Sequence, residues 1–105
     1  MAELTVIYWR DIPAQVIAKA GRRSAKVVLS ERFEKAIDRA AMRAKLRDTD
    51  AYLSQWRRGE PTPCGDDLEV AARGLASDLE AAFDEARLDA FVQAGGVTPA
   101  GADER

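Results

Sequence analysis

The sequence predicts an α+β domain: a three-stranded antiparallel sheet, followed by two shorter helices and one long C-terminal helix, packed on one face of the sheet. Three observations carry that expectation. Residues 4–29 fall into short runs rich in β-branched and aromatic side chains, as strands require. After Ser30 the apolar period lengthens to about 3.6 residues, the spacing of an amphipathic helix. The chain has 105 residues, 47 % of them hydrophobic, which supports one thin core and one domain at most.

Each element has a local reason. Leu4–Trp9 reads as the first strand, with Leu4, Val6 and Tyr8 on one face and Thr5, Ile7 and Trp9 on the other. Pro13 has no amide donor and belongs at a strand start or edge, so a second strand is expected over Ala14–Lys19. Gly21 can take positive φ in a tight turn, and Ser24–Leu29 returns as the third strand. Phe33, Ile37, Ala40, Ala41 and Ala44 form the stripe of a helix over about 31–46, with Ser30 as its N-cap. Asp48 can cap a second helix ending near Arg58, where Tyr52, Leu53 and Trp56 share a face suited to the core. Pro61 and Pro63 make a loop. Asp66 with Glu69 then suggests a capping box at the head of a third helix over about 66–92, with a break near Leu88. Residues 1–94 are expected to form the domain, and 95–105 a disordered C-terminal tail.

Composition excludes several chemistries. The sequence has no histidine, so the commonest general base and metal ligand is missing. A single cysteine, Cys64, allows no internal disulfide and no multi-cysteine metal site within one chain. Cys64 lies near a helix start, which favours a thiolate, but Asp66 and Asp67 oppose it; an incidental thiol is expected. Asp66, Asp67 and Glu69 suit the first turn of a helix better than a metal, and no metal or cofactor is expected. Apolar runs are too short for a membrane span and the start lacks a secretory pattern, so a cytoplasmic protein is the expectation.

Charge is distributed unevenly. Residues 1–18 carry a net −1, residues 19–58 a net +7 and residues 59–105 a net −8. Either the halves fold against each other or a basic surface meets an acidic partner. The basic series is Lys19, Arg22, Arg23, Lys26, Arg32, Lys35, Arg39, Arg43, Lys45 and Arg47. Glu31, Glu34 and Asp38 interrupt it, and Glu34–Asp38 is a like-charge pair at helical spacing. The sequence pI of about 5.2 also argues against a nucleic-acid surface.

The most informative stretch is Trp9-Arg10-Asp11-Ile12-Pro13. Arg10 and Asp11 could face a ligand from a strand end, Arg10 gripping a carboxylate or phosphate. The plainer reading has Asp11 accepting donors in the turn, Arg10 paired with an acid of the third helix and Trp9 in the core. The run Ile7–Val16, with Arg22-Arg23, Leu29–Phe33 and Ile37–Met42, resembles a small bacterial family, the virulence factor domain, over residues 3–92. That resemblance implies no catalytic residue. It implies a stand-alone form that accompanies corrinoid- and folate-dependent one-carbon enzymes.

A sheet this small has more apolar surface than helices on one face can shelter, because Thr5, Ile7 and Trp9 point away from Leu4, Val6 and Tyr8. The first functional reading is therefore a non-catalytic interaction or accessory protein, docking onto a protein partner or a second copy. Trp9, Arg10, Asp11, Gln15, Arg22 and Arg23 are its candidate binding residues. The alternatives are a small-molecule-binding enzyme subunit with its site at Arg10 and Asp11, and a nucleic-acid-binding regulator using residues 19–47.

Overall fold

The computed structural model describes residues 2–46 and 48–99. In order, the elements are β1 (Glu3–Trp9), β2 (Ile12–Ala20), β3 (Arg23–Val28), α1 (Glu31–Arg43), α2 (Thr49–Leu53), β4 (Trp56–Arg58), β5 (Thr62–Pro63), α3 (Leu68–Ala82) and α4 (Glu85–Gln93). The α+β class holds, but the sheet has five strands where three were expected. Its order is β3-β2-β1-β4, and β5 also pairs with β1. All pairings are antiparallel.

The expected second helix is the source of that difference. It stops at Leu53, and Trp56–Arg58 instead pairs with Ile7–Trp9. A three-stranded meander would leave the outer edge of β1 without partners for its amides and carbonyls. β4 and β5 satisfy that edge, and the Gly59 amide extends the bonding by donating to the Val6 carbonyl at 2.8 Å. The helical pattern Tyr52, Leu53, Trp56 misled because a strand residue can follow a single turn at the same spacing. Tyr52 and Trp56 pack against the core but are only half-buried, and Leu53 is exposed.

β2 carries an irregularity opposite Ile7 and Tyr8. Gln15 pairs with Ile7 but Pro13 pairs with Tyr8, so Ala14 is the extra residue of a bulge. The bulge admits Pro13, which has no ladder donor, near the strand start. The hairpin between β2 and β3 turns at Gly21, whose φ is 61°.

The long helix divides in two. Phe83 leaves helical geometry, and the Asp84 carboxylate accepts the Arg87 amide at 2.9 Å, which starts α4. Asp67, one residue after the expected Asp66, caps α3 by accepting the Val70 amide. Ser30 occupies the N-cap position of α1 without capping it; its amide and hydroxyl both donate to the Glu80 carboxylate. Asp48 caps α2 as expected. At the end of α1, the Lys45 amide donates to Met42 and the Leu46 amide to Ala41, a Schellman motif that holds Lys45 at φ 63°.

α3 packs on β2 and β3, α1 on β2, and α4 on α1. The core joins Ile12, Val16 and Ala18 of β2 to Phe33, Ile37 and Ala40 of α1, Ala72 and Ala76 of α3, and Leu88, Phe91 and Val92 of α4. Alanines at these helix positions let backbones approach closely. The uneven charge is resolved partly within the fold: Arg32 pairs with Glu80 and Arg39 with Asp89, each at 3.0 Å. α1 thus faces the acidic C-terminal segment. Arg47 lies outside the described residues.

Residues 95–98, assigned to the tail on sequence grounds, fold back onto β1 and β2, while 100–105 lie outside the described residues. Gly95 and Gly96 close a second Schellman motif on Val92 and Phe91. Gly96 has φ 98°, and a Cβ there would stand 2.6 Å from the Trp9 ring. Gly96→Ala is therefore expected to destabilise the protein by about 2 kcal/mol or more. Gly74→Ala, in the α3 interior with nothing within 4 Å, is expected to stabilise it by about 0.5–1 kcal/mol. Urea denaturation of both variants checks the pair.

Candidate functional site

The Trp9-Arg10-Asp11 stretch is the two-residue turn between β1 and β2, and its side chains are engaged with distant segments. Trp9 is fully buried, as the plainer reading of the turn had it, and so does not share an uncovered face with Ile7. α2 and the Gly95-Gly96 turn close over this end of the sheet. The Trp9 indole N–H donates to the Tyr52 carbonyl at 3.0 Å, and the two rings lie 5.7 Å apart.

Arg10 adopts φ 54°, a conformation that costs a non-glycine residue about 1 kcal/mol or more. Surrounding bonds hold it there. Its amide donates to the Gln55 carbonyl at 2.9 Å and its carbonyl accepts from Arg57 Nε at 2.7 Å. Its guanidinium donates through Nε to Gln55 Oε1 and through Nη1 to the Gly95 carbonyl, both at 3.0 Å. The expected pairing of Arg10 with an acid of the third helix is not made; an amide oxygen and a helix-terminal carbonyl take that place.

Asp11 completes the tie. Its amide donates to Gly96 O at 2.8 Å. Its carboxylate accepts from the Thr98 amide and hydroxyl and pairs with Arg57 at 3.0 Å. Burial pushes the Asp11 carboxyl up, but the Thr98 amide, the Thr98 hydroxyl and the Arg57 guanidinium together hold it below its ordinary value.

The remaining candidates lie elsewhere. Arg22 and Arg23 are exposed at the tip of the β2–β3 hairpin, at the opposite end of β2 from Asp11. That strand has nine residues, and neighbouring residues along it rise about 3.3 Å each. The structure therefore does not bring Arg22 and Arg23 together with Arg10 and Asp11. Gln15 lies between them, on the face of the sheet that carries Ile7 and Ile17.

Register defines that face. Ile7, Gln15, Val28 and Arg58 form one row across the sheet, Thr5, Ile17 and Lys26 the next, and Glu3, Lys19 and Ser24 the third. Leu4 and Val6 point to the opposite side with the buried Ala18 and Val16. Thr5, Ile7 and Ile17 are half-buried, and Val28 is 67 % exposed. Lys19, Lys26 and Arg58 make no ion pair among the described residues.

A cleft of about 260 Å³ adjoins the first row, between the sheet and the helices α1 and α2. Ala14, Leu29, Ile37 and Trp56 form its sheltered lining, while Glu34 and Asp38 are its exposed charges. Burial pushes the Tyr52 phenol up, and the Asp38 and Glu34 carboxylates push it further in the same direction. Gln15 and Trp56 line both this cleft and a shallower depression with Ile7 and Ile17. No sequence signal distinguished Gln55, Arg57 or Thr98, because each acts through contacts more than forty residues distant. Glu34 and Asp38 were visible as a like-charge pair, without the cleft beside them.

Residues 7–92 match the family described as Virulence factor. The chain belongs to that family. No curated protein and no solved structure matches it. No helix of the described residues is long and apolar enough to cross a membrane.

The depressed Asp11 pKa gives a pH prediction. Asp11 contributes stability in full above the ordinary carboxylate value, and that contribution is lost as pH falls through the lower folded value. Asp11→Asn is expected to melt lower than wild type at pH 7 and to lose less on acidification below about pH 4. Thermal melts of both proteins at neutral and acid pH check the sign.

Proposed function

We propose that this protein is a non-catalytic interaction or accessory protein, and that it docks another polypeptide against the sheet face centred on Gln15 and Ile17. The observation that carries the reading is the strip of half-buried Ile7 and Ile17 with exposed Val28, flanked by Thr5 and edged by Lys19, Lys26 and Arg58. An apolar centre with a charged rim is the composition of a protein–protein contact. The Arg10 and Asp11 groups support the turn, which weighs against their gripping a small molecule. Trp9, which is fully buried, acts through the fold in the same way.

The finer reading places the partner among corrinoid- or folate-dependent one-carbon enzymes, the class implied by the family resemblance. Tagged protein purified from its host under native conditions, followed by mass spectrometry, tests both levels. Ile17→Asp is expected to abolish capture while changing the melting temperature little, since the side chain is only half-buried. Arg10→Ala is expected to lower stability by about 1–2 kcal/mol by leaving the part-buried Gln55 Oε1 and Gly95 carbonyl without their donor. Capture that survives Ile17→Asp contradicts the assignment of this face.

A further inference from the structure

Resting on that docking reading, we infer that the cleft beside the face is a socket for one arginine side chain of the docked polypeptide. Its lining divides by polarity. Leu29 and Ile37 are its buried part, and the half-buried Tyr52 and Trp56 add aromatic wall. Glu34 and Asp38 stand exposed at its rim, one turn apart on α1. No lysine or arginine among the described residues lines it. The depressions at Arg10, Arg32 and Arg57 differ, since each presents arginine. An acidic cleft also runs against its setting, because residues 19–58 carry a net +7.

Each part of that lining matches a part of arginine. The methylene stem needs an apolar bed, which Leu29, Ile37 and Ala14 supply. A guanidinium is planar and weakly hydrated, and it settles on aromatic faces. Tyr52 and Trp56 stand at 83° with centroids 6.3 Å apart, so the pair offers a corner and not one flat plate. Glu34 and Asp38 repel each other at i,i+4, and one cation set between them removes that repulsion. The five N–H donors of a guanidinium fork serve two carboxylates at once, where an ammonium is a point charge. Burial pushes the Tyr52 phenol up, and the Asp38 and Glu34 carboxylates act on it from the same lining. An anion or a neutral amide gains nothing from those carboxylates.

The cleft lies beside the docking face. Gln15 and Val28 belong to the first row of that face and also line the cleft. Gln15 and Ile17 are two residues apart on β2, about 7 Å, a span that one long side chain covers. A chain seated over Ile17 therefore passes an arginine across Gln15 towards α1. Arg58 stands at the far end of the row, three strand spacings or about 14 Å from Val28, and does not line the cleft.

The probe is acetyl-arginine amide, titrated into the protein at low ionic strength and followed by nuclear magnetic resonance. The Trp56 indole N–H and the methyl groups of Leu29 and Ile37 are expected to shift together, with a dissociation constant of about 1–10 mM. The buried Trp9 indole is expected to stay in place. The citrulline analogue, equal in shape and neutral, is expected to bind about tenfold more weakly or worse. Glu34→Gln/Asp38→Asn is expected to lose the arginine response by about the same factor. Both side chains are exposed and make no ion pair among the described residues, so the variant keeps its fold. Asp66→Asn/Asp78→Asn removes the same charge from exposed sites on the far side of the sequence and is expected to bind as wild type does. Equal binding of citrulline, equal losses in the two double variants, or no saturable shift at Trp56 overturns the inference. If the probe fails while capture still depends on Ile17, the docking reading stands and the socket falls. If the probe binds while capture survives Ile17→Asp, the face assignment falls and the cleft keeps its arginine.

Discussion

The turn at Arg10 and Asp11 is the constraint on which the rest of the structure depends. Four segments meet there: the β1–β2 hairpin, the end of α2, β4 and the C-terminal turn after α4. The bonds are long-range, joining residue 10 to 55 and 95, and residue 11 to 57, 96 and 98. Without them the edge formed by β4 would be held to β1 by three residue pairs and the Gly59–Val6 bond. Arg10 is retained in a left-handed conformation because both of its backbone polar groups and its guanidinium have fixed partners. The local strain is set against several hydrogen bonds to a charged donor, each worth about 1.5–3 kcal/mol.

That arrangement redirects the functional reading. An arginine and an aspartate at a strand end suggest a ligand grip when seen in sequence. Here the aspartate lies between a threonine and an arginine of its own chain, and the arginine closes a helix terminus. Arg57 also stacks over Tyr8 at 4.4 Å, which fixes its guanidinium on the side away from Ile7 and Ile17. Lys19, Lys26 and Arg58 on the other face of the sheet, and Glu34 and Asp38 beside the adjacent cleft, make no ion pair among the described residues. Function is therefore sought where the fold leaves groups unsatisfied, not where the sequence is most distinctive.

Much of the fold was legible because local periodicity carried it. β1–β3 and the stripe of Phe33, Ile37, Ala40 and Ala41 follow from alternation and helical spacing, and both survive in the structure. Elements made by long-range pairing were not legible. Trp56–Arg58 has no strand signal of its own and becomes a strand only because β1 offers an edge. The break at Asp84 was placed near Leu88 because the apolar spacing continues through it, while the capping aspartate was read as one acid among many. Trp9 was read both as a core residue and, by alternation along β1, as part of an uncovered face; what the pattern could not show was α2 folding over that end. Of the candidate residues, Gln15 lies on the face of Ile7 and Ile17, whereas Arg22 and Arg23 sit at the tip of the β2–β3 hairpin. The pair Glu34 and Asp38 gained meaning only from the cleft beside them.

The account separates a turn that builds the molecule from a face that binds. Its most direct test is a nuclear magnetic resonance titration that follows the methyl groups of Ile7, Ile17 and Val28 beside the indole N–H of Trp9, as partner concentration rises. The account predicts that the three methyl signals shift together while the indole proton keeps its position. Shifts centred on Trp9, Asp11 and Thr98, with Ile17 unmoved, would contradict it.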